Sequence, residues 1–342
     1  ENIGYIKLDL FAKTSMKEFK EALEELEEQK MKSLILDLRG NNGGYLNVAF
    51  ELGNMFLDKG MTVVYTEGDK SPKQIFETEK KGDFAKGKLV VLIDEGSASA
   101  SEIVSGAIQD WDRGVLIGRR SFGKGLVQRP FNLPDGSIVR LTTARYYTPT
   151  GRCIQRSYEK GTEDYYNEMT KRFDHGEYYH ADSIQFPDSL KYETLVSGRT
   201  VYGGGGVMPD IFVPIDTTFA TKLYTDLIRK GIFNQYAIDY VMDNREALKE
   251  KYPDFSYYED DFVITDEMID DFKNAAEKKD IKWDEEQFIR SEKMIKLQLK
   301  AMIARNEWDM EKYYKIIAED DKMIGKAIEI LNDKNQYKKL LQ

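Results

Sequence analysis

The sequence lacks several residue types on which stability or chemistry often depends. Its 342 residues include one cysteine, Cys153, so no disulfide forms within the chain, and only two histidines, His175 and His180. No apolar run reaches the roughly 18 residues that a membrane-spanning helix needs. A net charge of -10, with no basic stripe, argues against a nucleic-acid surface. The 41% hydrophobic content is nevertheless enough, at this length, to bury a large core without crosslinks.

The part of the chain up to Arg145 alternates short β-branched runs with amphipathic stretches, which is typical of an α/β fold. The predicted strands are Ile3–Leu8, Ser33–Leu38, Thr62–Tyr65, Lys88–Ile93 and Val115–Ile117. The predicted helices between them are Ser15–Gln29, Tyr45–Leu57 and Ser99–Trp111. The last predicted element is a hairpin of Leu126–Asn132 and Ile138–Tyr147 around a Pro-Asp-Gly turn.

The rest of the chain changes character twice. Residues 152–202 are polar and tyrosine-rich without a sustained period, which indicates an irregular insertion. Residues 203–215 begin with four glycines and end in a short apolar run, which predicts a strand that returns to the core. Residues 216–342 have apolar side chains at helical spacing, so we predict a C-terminal helical region beyond the core of residues 1–151. Because the sequence begins at Glu1 without Met or leader, we expect a piece of a longer protein.

Three polar, glycine-rich clusters each follow a predicted strand. They are residues 37–44 (DLRGNNGG), 96–102 (GSASASE) and 121–125 (SFGKG). Loops that leave parallel strands at their carboxyl ends meet at one edge of the sheet, where helix N-termini point toward a ligand. We therefore predict one site to which all three clusters contribute.

Ser99 has two interpretations on local pattern. Ser99 and Glu102 form an S-x-x-E capping box, in which the hydroxyl satisfies a backbone donor at the start of a helix. Alternatively, Ser99 is a nucleophile at a strand-to-helix turn, where backbone N–H groups stabilise an oxyanion. Spacing alone leaves Ser97 and Ser101 open as further candidates.

Lys124 also has a competing interpretation. The segment from Gly118 to Lys124 matches the first part of a phosphate-binding loop, G-x-x-x-x-G-K. Gly125, however, stands where that motif needs a hydroxyl for magnesium, and a strand is predicted where it needs a helix. Nucleotide binding is therefore disfavoured.

In their order, the three clusters resemble the carboxyl-terminal processing proteases, which are tail-specific Ser-Lys peptidases of the S41 class, in their Bacteroidetes-type form. The segments Tyr146–Arg152 (YYTPTGR) and Val207–Asp210 (VMPD) match as well, so the resemblance runs from about residue 1 to residue 214. It implies a crotonase-like or ClpP-like βα core with a β-hairpin region. It also implies a serine endopeptidase that cleaves proteins near their C-termini, without cofactor or metal. The alternative is a non-catalytic relative of this fold that binds peptides or apolar ligands.

The resemblance implies roles for individual side chains. The nucleophile falls on Ser99, the general-base lysine on Lys124 and a lysine-orienting glutamine on Gln128. A serine hydroxyl needs a base, and an amine serves as one only where burial and nearby positive charge favour its uncharged form. Because Lys124 and Gln128 are four residues apart on an apparent strand, we predict that their side chains share a face.

The resemblance also implies oxyanion donors, namely the N–H of Ala100 and one from the Gly43–Gly44 turn. Asp110 aligns with an acidic position of the family. Eleven residues of predicted helix, roughly 16 Å, separate Asp110 from Ser99, so we predict a structural role for it. Arg39 is predicted to brace its own loop.

The sequence departs from the family in two places. The family usually has a peptide-binding PDZ module before the core. Residues 1–8 already predict a core strand, so we expect this module to lie upstream and to be missing from this chain. Residues 152–202 stand where relatives pass directly to the Pro-Asp strand. Both histidines lie in this stretch, and we predict no catalytic role for them or for Cys153.

The resemblance implies partners and a location as well. The expected partners are protein or peptide substrates with flexible C-terminal tails, and homo-oligomer formation stays open. The expected location is the bacterial cell envelope, either periplasmic or membrane-anchored through a missing N-terminal segment.

Overall fold

The computed structural model describes residues 2–158 and 161–342 and divides the chain into two compact units. Unit 1 comprises Glu1–Pro214 together with Lys322–Gln342, and unit 2 comprises Ile215–Asp321. Each unit has its own cluster of buried apolar side chains.

The described residues contain strands up to Phe212 and helices along the whole chain. The strands are β1 (Ile3–Lys7), β2 (Ser33–Asp37), β3 (Thr62–Gly68), β4 (Ser71–Glu77), β5 (Lys88–Ile93), β6 (Val115–Gly118), β7 (Leu126–Asn132), β8 (Ile138–Tyr147), β9 (Lys191–Glu193), β10 (Thr200–Tyr202) and β11 (Ile211–Phe212). The helices are α1 (Ser15–Glu28), α2 (Leu46–Phe56), α3 (Ala100–Asp110), α4 (Thr162–Asp174), α5 (Lys222–Arg229), α6 (Ile232–Lys251), α7 (Phe255–Asp261), α8 (Asp266–Glu277), α9 (Glu285–Glu307), α10 (Met310–Ala318), α11 (Lys322–Asn332) and α12 (Lys334–Leu340).

Unit 1 is built on a parallel sheet with the strand order β1-β2-β5-β6-β11. Its central strands are runs of Leu, Ile and Val that are buried on both faces, as a parallel sheet covered by helices requires. A second, antiparallel sheet has the order β4-β3-β8-β7. The predicted α/β class, the βα order and the hairpin are therefore confirmed, while β4 is an element that the sequence pattern did not predict.

Helix α3 is the most deeply placed helix of unit 1, and every one of its residues is buried. Small side chains permit this position. A Cβ on Gly106 would lie 2.7 Å from Cγ2 of Thr148. Because α3 begins directly after the loop that follows β5, its N-terminus lies at the carboxyl edge of the parallel sheet.

Residues 152–202 are more regular than predicted. They contain α4, two short 3₁₀ turns at Ala181–Ser183 and Asp188–Leu190, and an antiparallel pair formed by β9 and β10. The short returning strand is β11, which pairs in parallel with β6. The sequence pattern missed α4 because its helical period spans few turns and its polar face is broad.

The predicted C-terminal helical region divides at residue 321. Helices α5 to α10 form unit 2, whereas α11 packs against β5 and β6 of unit 1. In α12, the Tyr337 hydroxyl accepts a hydrogen bond from the Leu89 N–H at 2.9 Å. The helical pattern between Glu285 and Leu331 falls on three separate helices, α9, α10 and α11. Asp309 caps the start of α10 by accepting from the N–H of Lys312. Among the described residues, none of these helices has the length and apolarity to cross a membrane.

Candidate active site

The three glycine-rich clusters meet at one edge of unit 1, as predicted. They follow β2, β5 and β6, which are neighbours in the parallel sheet. Backbone hydrogen bonds join them directly: the Ala98 N–H donates to the Asn41 carbonyl at 3.0 Å, and the Phe122 N–H donates to the Ser97 carbonyl at 2.9 Å. A single site is therefore built from all three loops.

Ser99 lies at the turn between the β5 loop and α3. Its backbone has φ 57° and ψ -111°, a conformation that side-chain-bearing residues rarely adopt. Such strain persists only where the surroundings enforce it, and it occurs often at functional sites. Ser97 and Ser101 are fully buried, and their hydroxyls donate to the Leu38 and Asn41 carbonyls at 2.8 Å. Ser99 is half-buried, so of the three serines it is the one that solvent reaches.

Glu102 connects the turn at Ser99 to the loop between β6 and β7, residues 119–125, which is called the Lys124 loop below. Its fully buried carboxylate accepts from the N–H groups of Ser99 at 2.8 Å, Gly123 at 2.7 Å and Lys124 at 2.8 Å, and from the Ser121 hydroxyl at 2.5 Å. Burial raises the pKa of the Glu102 carboxyl, and these hydrogen bonds act in the opposite direction. The capping box is thus present, but its carboxylate also fixes a loop that lies more than twenty residues farther along the chain.

Tyr146, from β8, makes a second connection between the two loops. Its buried hydroxyl is 3.0 Å from the Ser99 carbonyl oxygen and also contacts the Lys124 carbonyl oxygen. Burial raises the pKa of Tyr146 well above its ordinary value, and the charge of Glu102 adds to the rise. The hydroxyl therefore stays protonated, and its single hydrogen is shared between the two carbonyl oxygens or donated to one of them at a time.

Lys124 and Gln128 do not lie on one continuous strand, so the strand alternation from which a shared face was predicted is absent. Lys124 precedes β7, which begins at Leu126, and the register of β7 shifts between Val127 and Gln128. Such a bulge breaks the alternation of side chains along a strand. Lys124 is half-buried, whereas Gln128 is exposed and pairs with Thr142 of β8.

The Gly43–Gly44 turn packs directly against the start of α3. A Cβ on Gly43 would lie 2.7 Å from the Ser99 Cβ and 2.9 Å from the Ala100 nitrogen. The Gly43 N–H donates to Oδ1 of Asn41 at 2.8 Å. Within residues 2–158 and 161–342, the N–H groups of Gly44 and Ala100 make no hydrogen bond to protein.

Asp110 and Arg39 each form an ion pair with another side chain of unit 1. Asp110 and Arg152 form a fully buried ion pair at 2.7 Å, and Asp110 also accepts from the Thr150 N–H at 2.9 Å. Arg39 pairs with Asp37 at 2.6 Å. Burial alone would raise the pKa of Asp37, but the hydrogen bonds and charge of Arg39 bring it below its ordinary value.

The structure gives little support to nucleotide binding or to chemistry at the histidines, a metal site or Cys153. Gly125 is followed by β7 and not by a helix, and a carboxylate already occupies the N–H groups of Gly123 and Lys124. Both histidines are exposed, and the described part of the chain contains no cluster of three metal-ligating side chains. Burial raises the pKa of the Cys153 thiol, which disfavours the thiolate.

Comparisons with known proteins agree with the geometry. Residues 2–165 match Peptidase family S41, and residues 223–309 match a family of unknown function, DUF8443. The carboxyl-terminal-processing protease of Synechocystis sp. is 42% identical over 157 residues, which cover 46% of this chain and 36% of that protein. The carboxy-terminal processing protease CtpA of Bacillus subtilis is 39% identical over 155 residues, covering 45% of this chain and 33% of that protein.

Among solved structures, the photosystem II D1 C-terminal processing protease is 37% identical, with a TM-score of 0.42 and coverage of 45% of this chain and 39% of that chain. This chain spans about a third of the length of the two curated relatives.

Proposed function

We propose that this chain, whose residues 2–165 match Peptidase family S41, is the core of a serine endopeptidase that uses Ser99 and Lys124. The observation that carries the proposal is the joint fixation of the two loops. The Glu102 carboxylate receives backbone N–H groups from both Ser99 and Lys124, next to a serine held at positive φ. A nucleophile and a base need such a fixed mutual position.

The proposed reaction is acyl transfer without histidine. Oγ of Ser99 attacks the carbonyl carbon of the scissile bond, and the uncharged amine of Lys124 accepts the hydroxyl proton. Collapse of the tetrahedral intermediate breaks the C–N bond, and the same proton passes to the leaving amine. Water then attacks the acyl-enzyme, again giving its proton to Lys124, which returns it to Ser99. The resemblance also implies that Gln128 orients the lysine amine, a role that would require substrate binding to bring this exposed side chain to Lys124.

Backbone N–H groups of Ala100 and Gly44 are the proposed oxyanion donors. Ala100 lies at the N-terminus of α3, where the helix dipole favours negative charge. We favour Gly44 over Gly43 because the Gly43 N–H is already donated to Asn41. The close approach of this turn to Ser99 explains the need for glycine at position 43.

We propose that an extended substrate adds to the open edge of β7. This strand is the terminal one in the antiparallel sheet, and it begins two residues after Lys124. A peptide that pairs with an edge strand is bound through its backbone, which makes sequence specificity loose. The proposed substrates are therefore unfolded proteins and flexible C-terminal tails, in the bacterial cell envelope.

The test is a fluorophosphonate probe followed by mass spectrometry of the labelled peptide. We expect an adduct on Ser99, hydrolysis of an unfolded protein by the purified chain, and loss of both in Ser99→Ala. A chain that binds the unfolded protein but hydrolyses it no faster than Ser99→Ala would overturn the proposal in favour of a non-catalytic peptide-binding relative.

A second measurement addresses the substrate end. One tail peptide is compared as free acid and as C-terminal amide. We expect similar slow cleavage of the two, because strand addition uses the peptide backbone and not its terminal carboxylate. A strong preference for the free acid would show that this chain itself recognises the terminus.

A further inference from the structure

We infer that the insertion of residues 152–202 positions the Lys124 loop, and that Arg172 of α4 is the central positioning residue. This inference rests on the proposed function, since it concerns the base of the same reaction. Arg172 lies beyond residues 2–165, which match the peptidase family, so the proposed base is held by a part of the chain outside that match.

The first argument is the direct contact of Arg172 with the loop. Its buried guanidinium donates from Nη1 to the Ser121 carbonyl at 3.0 Å and from Nη2 to the Arg120 carbonyl at 2.8 Å. These are two successive carbonyls of the segment that leads to Lys124. A planar guanidinium presents its donors in a fixed fork, so it fixes both peptide groups at once, which an ammonium does not do.

The second argument is that the guanidinium is itself fixed. Glu177 receives Nε of Arg172 at 3.1 Å and Nη2 of Arg120 at 2.8 Å on one carboxylate oxygen. Glu177 therefore joins the end of α4 to the Arg120 side chain, while Arg172 joins α4 to the backbone of the same loop. Burial lowers the pKa of the Arg120 guanidinium to about 10, and the positive charge of Arg172 makes the second-largest contribution to this decrease.

The third argument is a second contact from the same insertion. The Arg156 N–H donates to the Gly123 carbonyl at 3.0 Å. Its buried guanidinium lies between two rings, 4.1 Å from the Phe122 centroid and 4.2 Å from the Tyr165 centroid. Tyr165 belongs to α4, so the helix also reaches the loop through this stack.

The loop is thus held from two sides by different partners. Glu102 of the core accepts the N–H groups of Gly123 and Lys124, while the insertion donates to the carbonyls of Arg120, Ser121 and Gly123. Removing the Arg172 and Arg156 contacts leaves the N–H groups of Gly123 and Lys124 bound to Glu102, but it frees the carbonyls of Arg120, Ser121 and Gly123 to turn. The lysine amine would then lose its fixed distance from the serine hydroxyl.

The test is steady-state hydrolysis of an unfolded-protein substrate by Arg172→Met and Arg172→Lys in the full chain. We expect kcat of Arg172→Met to fall between about tenfold and a hundredfold, because a misplacement of about 1 Å suffices for such losses. KM should change by less than about twofold, since the substrate edge at β7 is untouched. Arg172→Lys should regain part of kcat, because an ammonium reaches one carbonyl at a time.

Arg113→Met is the matched control. Arg113 donates to two backbone carbonyls, those of Phe56 at 2.8 Å and Phe84 at 2.7 Å, and makes no hydrogen bond to the residues of the Lys124 loop that the structure describes. It should lose thermal stability to an extent similar to that of Arg172→Met while keeping kcat.

The outcomes separate this inference from the proposed function. One outcome is that the probe labels Ser99 in the wild-type chain while Arg172→Met and the control Arg113→Met have the same kcat as the wild type. In that case the inference is wrong and the proposed function stands. A fall in kcat that is equal in both variants also overturns it. If Arg172→Met does not fold, Arg172→Lys decides: an unchanged kcat in that variant refutes the positioning role. Absence of Ser99-dependent hydrolysis in wild type overturns both.

Discussion

The turn that carries Ser99 and the loop that carries Lys124 are fixed in different ways. The Ser99 turn is held by its own helix, through Glu102 three residues later, and by Tyr146, whose hydroxyl contacts the Ser99 carbonyl from 47 residues away. The Lys124 loop is held by Glu102 at a separation of 22 residues and by Arg172 at separations of 51 and 52 residues from the carbonyls it binds. The proposed nucleophile thus has a local partner in Glu102, whereas Glu102 and Arg172 reach the loop of the proposed base from more than twenty residues away.

The largest expected effect comes from removing the proposed nucleophile or the proposed base. Ser99→Ala and Lys124→Ala should each lower kcat by at least about 10³-fold, and the double variant should lose little more, because the two residues act as one unit. Lys124→Arg should fail as well, since arginine keeps its proton. An active Lys124→Arg variant in the same hydrolysis assay would refute the base assignment. His175→Ala with His180→Ala should keep the wild-type rate.

A somewhat smaller effect is expected from substituting Glu102, because this residue contacts both the Ser99 turn and the Lys124 loop. Glu102→Gln preserves the side-chain shape but turns amide hydrogens toward backbone donors. We expect kcat to fall about 10²-fold and the free energy of unfolding to fall by about 2–3 kcal/mol. Chemical denaturation and steady-state kinetics measure the two quantities.

Asp110→Asn is the control for Glu102→Gln, because it breaks another buried carboxylate contact on the same helix. This variant should lose stability and keep kcat, since Asp110 contacts Arg152 and Thr150 and not the Lys124 loop. If both variants lose kcat equally, the fixation of the two loops by Glu102 is not the cause.

Tyr146→Phe should have a moderate effect, because it removes only the hydroxyl that bridges the Ser99 and Lys124 carbonyls. We expect kcat to fall about tenfold, with KM unchanged, and the free energy of unfolding to fall by about 1 kcal/mol. Unaltered kcat would mean that Glu102 alone fixes the distance between the two loops.

Gln128→Ala should have the smallest effect on kcat, about threefold or less, because Gln128 is exposed and lies beyond the bulge in β7. The same hydrolysis assay measures it. A loss as large as that of Lys124→Ala would show that substrate binding brings Gln128 to the lysine amine, and the Lys124 loop would then be fixed from a third side.

Local patterns predicted most of the core, and contacts between distant residues account for what was missed. Strands β1, β2, β3, β5 and β6 and helix α3 follow from apolar runs and helical spacing, whereas β4 was missed. The second role of Glu102 has no local signal, because its partners Gly123 and Lys124 lie in another loop. The side-chain geometry expected for Gln128 failed because a one-residue bulge leaves no trace in the alternation of the sequence.

Unit 2 interrupts unit 1 in the sequence, which sets the order in which the chain matures during synthesis. Helix α11 packs against β5 and β6, and Tyr337 of α12 bonds to Leu89 of β5, yet the ribosome makes both helices only after all of Ile215–Asp321. At roughly 5–20 residues per second, the roughly 200 residues between β6 and α11 take about 10–40 s to make, and during that time the apolar surface that α11 covers lacks its partner. The Lys124 loop leaves β6 directly, so we expect the nascent chain to acquire the final geometry of its candidate site only after these helices have been made.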